Sequence, residues 1–182
     1  MRKTILLIVL ILAVLPLAGC MGAESIEAPY GAIPLADMPP VPAGLVQPIP
    51  DGYEVVSEAQ TESRFAYGSR TILVRYAIAP GAASVINNAQ RENIEAFARQ
   101  YVSSAYDDIG VDTIEFMGEN ALIVTAIPDE DSEHDRADYA AVYAIAPFGD
   151  YFVMVSGYAP RAELDVIRWD VEAFLEGFTI SD

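Results

Sequence analysis

Residues 111–158 read VDTIEFMGENALIVTAIPDEDSEHDRADYAAVYAIAPFGDYFVMVSGY, and this stretch decides the fold class. Four runs rich in β-branched and aromatic residues, at 111–117, 121–127, 137–146 and 151–158, are separated by turn-forming residues. Gly118-Glu119-Asn120 and Phe148-Gly149-Asp150 are of hairpin length, so neighbouring runs pair antiparallel. The runs at 121–127 and 151–158 are apolar on both faces, which predicts strands inside a sheet that is covered on both sides.

Upstream of this stretch the pattern alternates. Tyr53, Val55, Ser57 and Ala59 share one side and Glu54, Glu58 and Gln60 the other, with Val56 as the exception. Residues 63–67 reach the turn signal Gly68-Ser69, and Ile72, Val74, Tyr76 and Ile78 resume the alternation until Pro80-Gly81. Such half-polar strands suit the margins of the sheet. Ile94, Phe97, Ala98, Tyr101 and Ala105 then fall at i, i+3, i+4, i+7 and i+11, predicting one helix capped by Ser84 or Asn87 and ended by Gly110. A closing helix starts near Pro160, with Leu164, Ile167, Val171, Phe174 and Leu175 on one face and Gly177 at its end. The expectation is a single α+β domain over residues 51–182, a mostly antiparallel sheet of about six strands packed with two main helices.

This order of elements, with Pro50-Asp51-Gly52-Tyr53 at its opening and Gly177-Phe178-Thr179-Ile180 at its close, resembles the PsbP/Mog1-like α+β fold over residues 48–181. Members of that fold do unrelated jobs, from photosystem assembly to binding a small GTPase. The resemblance therefore implies a fold and carries over no functional residue.

The N-terminus carries a second signal. Met1-Arg2-Lys3-Thr4 is followed by an apolar run at 5–15 and by Leu17-Ala18-Gly19-Cys20, the parts of a secretory signal peptide. The run is about half of the ~20 residues that cross a bilayer core, and Pro16 interrupts it. The last four residues resemble the lipobox of prokaryotic lipoproteins. That resemblance implies removal of residues 1–19 and lipidation of the Cys20 thiol, with palmitate among the expected acyl groups. It places the protein on the cell membrane or outer membrane, facing the extracytoplasmic side. Cys20 is the only cysteine, so an internal disulfide, thiol catalysis and cysteine-rich zinc sites are excluded. Residues 21–50 hold seven of the twelve prolines, which predicts an extended tether at 20–50. Ile33, Leu35, Leu45, Val46 and Ile49 are nonetheless apolar enough for part of it to dock on the domain.

The formal charge is −17. Losing residues 1–19 removes Arg2 and Lys3 and leaves eight arginines, no lysine and 27 acids, a charge of −19. A field of that sign repels nucleic acid and anionic lipid and suits a high-salt setting. Six of the ten residues at 129–138 are acidic, and they fall at positions 1, 3, 5 and 7 of a calcium-type loop. His134 then stands where that loop needs glycine, and Ala140 where it needs a bidentate glutamate, so a solvated hairpin loop is expected. His134 is the only histidine, no Gly-x-Ser-x-Gly turn is present, and the glycines form no phosphate-binding loop.

Arg64, Arg70 and Arg75 share one predicted hairpin, as a local carboxylate site or as partners of nearby acids. Tyr139 and Tyr143 share a strand face. Cys20 is thus the one site residue assigned, with no catalytic, cofactor or metal residue. The resulting expectation is a non-enzymatic, lipid-anchored binding or accessory module of the cell envelope, its partner an envelope protein or small ligand. A hydrolase built on acidic residues in a cleft is the alternative, followed by a weak cation-responsive module at 129–138.

Overall fold

Three glycines with left-handed backbone, Gly68, Gly118 and Gly149, reverse the chain at the tips of three hairpins. The computed structural model describes residues 39–58, 62–102, 106–128 and 138–181. The hairpins are β3 (Glu62–Tyr67) with β4 (Arg70–Ile78), β5 (Tyr106–Phe116) with β6 (Glu119–Pro128), and β7 (Tyr139–Phe148) with β8 (Tyr151–Pro160). With β2 (Glu54–Glu58) they form one sheet in the order β2-β3-β4-β8-β7-β6-β5, every neighbouring pair antiparallel. The α+β class and antiparallel sheet are as expected, but the sheet has seven strands rather than about six. The early strands do lie toward one margin, and 151–158 falls at the sheet's centre.

A helix layer on each face explains why β6, β7 and β8 are apolar on both sides. On one face, α3 (Leu164–Glu176) buries Ile167, Val171, Phe174 and Leu175 against Phe65, Ile72, Val74, Val142, Val153 and Val155. Gly157 lets this helix approach, since a Cβ there would stand 2.6 Å from a methyl of Val171. On the other face, Ala82 and Ile86 of α1 (Ala82–Glu92) pack on Leu122, Ile145 and Phe152. The rings of Phe97 and Tyr101 meet Phe152 edge-on beside them.

Four local expectations change. The single helix expected across residues 84–105 is two, α1 and α2 (Ile94–Ala98). The break is Asn93, whose extended backbone ends the first helix and whose side chain accepts the Ala96 amide to start the second. Helix α1 begins after a left-handed Gly81 instead of at Ser84 or Asn87. Gly110, expected to end a helix, lies inside β5 opposite Thr125. There the period-two pair Ile109 and Val111, packed beside Val124 and Ala126, overrides the glycine signal.

The fourth change concerns the tether. Its last residues fold back: β1 (Leu45–Val46) pairs with β9 (Thr179–Ile180), closing a two-stranded clasp between the start and end of the domain. Leu45 is 6% exposed and belongs to the α3-side core. The Tyr76 hydroxyl donates to Gln47 Oε1 at 2.7 Å. Prolines 42, 48 and 50 flank β1 without occupying it. The Leu45 amide donates to the Pro42 carbonyl at 3.1 Å, closing a turn before the strand, and the Ser181 amide donates to the Gly44 carbonyl at 2.9 Å to tie the clasp at its end. An arm thus replaces the expected tether over residues 39–50. The segment 20–38, Cys20 and the signal at 1–19 lie outside the described residues, as do residues 129–137 with His134.

Candidate functional site

The arm and the β2–β3 margin line an open groove of about 410 Å³. Val41, Leu45, Val46, Gln47, Pro48 and Ile49 form one wall, and Glu58 and Ser63 stand opposite. Proline-fixed backbone on both sides of β1 holds the apolar wall in place, and the Tyr76–Gln47 hydrogen bond fixes its middle. Burial pushes the Tyr76 hydroxyl well above the ordinary tyrosine range, so it serves as a neutral donor. The wall is incompletely covered: Val41, Val46 and Ile49 are exposed, Ile49 by 62%. An apolar lining with a carboxylate, an amide and a hydroxyl is the composition of a small-ligand site.

Beside the groove runs the free margin of β2, whose only neighbour among the described strands is β3. All five of its residues are exposed, including Val55 and Val56. A register shift between Val55 and Ser57 breaks its ladder, and Glu54 and Glu58 flank the valines. Bulge and charge both blunt strand addition at an edge, so the groove is the better binding element of the two.

The three hairpin arginines do not converge. Arg75 pairs with Glu62 at 2.6 Å and Arg64 reaches the same carboxylate at 3.6 Å, on one side of the sheet. Arg70 lies on the other side. There it pairs with Asp170 of α3, stands 3.6 Å from Glu163, and lies over the Tyr67 ring at 4.7 Å. Asp170 also accepts the Tyr53 hydroxyl at 2.6 Å. Burial first, and the Asp170 hydrogen bond second, raise Tyr53 well above its ordinary value. The arginines thus neutralise acids of their own chain. Arg70 is a carboxylate site whose carboxylate, Asp170, comes from within the molecule.

Tyr139 and Tyr143 part company as well. Tyr139 is exposed, whereas Tyr143 is buried and meets the rings of Tyr106 and Tyr158 edge-on at 6.4 and 6.1 Å. Burial, followed by the neighbouring Tyr158 and Tyr106, drives the Tyr143 hydroxyl far up. Among the described residues no group of three metal-ligating side chains assembles, and no helix is long and apolar enough to cross a membrane. Of the five apolar residues expected to be able to dock, Leu45, Val46 and Ile49 line the groove, and Ile33 and Leu35 lie outside the described residues. Val41 and Gln47 join them without any local signal, because the β1–β9 pairing that aligns the wall spans the whole domain.

No family model and no curated protein matches the sequence. Among solved structures the chain is similar to the Ran-binding protein Mog1p of Saccharomyces cerevisiae, with a TM-score of 0.49 and 10% identity over 76% of this chain and 91% of that one. It is similar to the cyanobacterial PsbP of Synechocystis sp. PCC 6803, with a TM-score of 0.46 and 8% identity over 76% and 87% of the two chains. LpqN, involved in cell envelope biogenesis of Mycobacterium tuberculosis, aligns with a TM-score of 0.47 and 12% identity over 76% and 83%. At 8–12% identity these likenesses concern the course of the chain alone and carry no role over to this protein.

Proposed function

We propose that this protein is a lipid-anchored binding module of the cell envelope, held through Cys20 on the extracytoplasmic side and carrying no reaction of its own. The anchor is supported by the order of a basic start, an apolar run and Leu17-Ala18-Gly19-Cys20. Binding is supported by one observation above all: the arm that continues toward Cys20 is itself the apolar wall of the 410 Å³ groove. A volume of that size takes a small, largely apolar ligand with one or two hydrogen-bonding groups, or a short apolar segment of an envelope protein.

Two readouts from cells test the proposal. The wild-type chain should incorporate labelled palmitate and sediment with membranes, and Cys20→Ser should lose both. A serine variant that stayed membrane-bound and correctly processed would exclude the anchor. For the groove, native mass spectrometry of the gently extracted protein should detect a bound molecule that Ile49→Asp releases. Identical spectra for the two proteins would exclude the groove as the binding site.

A further inference from the structure

The core-facing side of α3 is fully used, yet its solvent side is also apolar. Ala162, in the 3₁₀ turn at residues 161–163, and Val166, Trp169 and Ala173 fall at i, i+4, i+7 and i+11, and all four are exposed. Trp169, the only tryptophan of the chain, is 68% exposed, and Val166 is 44% exposed. Tryptophan on a helix surface forfeits more apolar burial than any other side chain. A row of acids runs beside the stripe: Asp165, Glu172 and Glu176 are spaced i, i+7 and i+11 on the adjoining helix line. Arg168, which pairs with Glu172 at 2.9 Å and Asp112 at 2.8 Å, lies behind that row.

We infer that the outer face of α3 is a protein-docking surface whose partner presents an apolar pocket for the Trp169 indole, bordered by arginine or lysine opposite the exposed Asp165 and Glu176. Charge complementarity selects this occupant. A second copy packed antiparallel across a two-fold axis would bring two acidic rows together, one packed parallel would offer no cation to either row, and an anionic bilayer would be repelled by the same row and by the net charge. Aromatic anchors set in a charged border dominate binding energy in such contacts. This surface is separate from the groove and does not rest on it.

Site-specific photo-crosslinking of the full chain in its host tests the inference. A benzophenone amino acid at position 173, one turn from Trp169, should give a protein adduct whose mapped segment is apolar and bordered by arginine or lysine. Adding Trp169→Ser should cut the adduct about tenfold, and Asp165→Asn with Glu176→Gln should cut it severalfold, with unfolding midpoints unchanged. Adducts to lipid or to a second copy of the chain would overturn it. So would a partner segment without basic residues, or no adduct at all. The same probe at position 49 reads the groove separately: an adduct there but none at 173 leaves the groove standing and removes this surface.

Discussion

Asp170 is the residue on which two others depend. It is 8% exposed, yet its carboxylate faces both the Arg70 guanidinium and the Tyr53 hydroxyl. Asp170→Ala leaves Arg70 with only Glu163 and two aromatic rings, and leaves the Tyr53 hydroxyl without its acceptor. A loss of about 2–3 kcal/mol is expected by urea unfolding, below the cost of breaking a fully buried pair. Adding Arg70→Met should restore much of it; an unchanged deficit in the double variant would show that packing, not charge, sets the cost. None of this partnership was legible in the sequence. Alternation placed Arg70 on a hairpin, but its partner lies 100 residues further along.

The tyrosines set a second expectation at this scale. Burial raises Tyr53, Tyr76 and Tyr143 above the ordinary value of 10.0, so the folded chain keeps protons that the unfolded chain gives up. Their contribution is complete below pH 10 and is lost as pH rises above it, at about 1.4 kcal/mol per pH unit for each tyrosine. Tyr76→Phe should flatten the alkaline limb of a stability–pH curve by one such slope. An unaltered limb would mean that the hydroxyl is not held neutral.

Among the elements, the strands were legible because two-sided burial writes near-continuous apolar runs, as in 121–127 and 151–158. Helix boundaries were less so. Asn93 reads as an ordinary polar residue on a helical stripe, and only its extended backbone reveals it as a cap. Strand β1 was hidden by its prolines. Its two residues gain a ladder only because β9, at the far end of the chain, lies beside them. A chain starting at residue 51 loses the Leu45 side chain from the core and the Gln47 acceptor from Tyr76. It should be less stable by about 3 kcal/mol, roughly 2 from apolar burial and 1 from the hydrogen bond. A chain starting at residue 39 should match the longer protein. Equal midpoints for both shortened chains would show that the arm adds nothing.

At the scale of the molecule, charge is the dominant fact. The described ion pairs engage Glu62, Asp112, Glu163, Asp170 and Glu172, a minority of the 27 acids. Screening shrinks from about 30 Å at 0.01 M salt to about 3 Å at 1 M, which relieves the compact state more than the expanded one. The melting temperature should therefore rise across that range in sodium chloride. Chloride is the fair salt, since sulfate would also strengthen apolar burial. A flat or falling curve would mean that the acids are already well solvated.

The clasp between β1 and β9 has a mechanical consequence. Tension applied at residue 39 reaches a ladder of two residue pairs before it reaches any strand of the seven-stranded sheet. The clasp is the weakest link in that line and yields first. Its release frees residues 39–50, which at about 3.4 Å each add roughly 40 Å of reach while the sheet and its helices stay folded. The same pull at residue 39 would also dismantle the groove, because the groove's wall is the segment being drawn out. The shape of the groove is thus tied to load: whole while residue 39 is unloaded, and lost once tension on it opens the clasp.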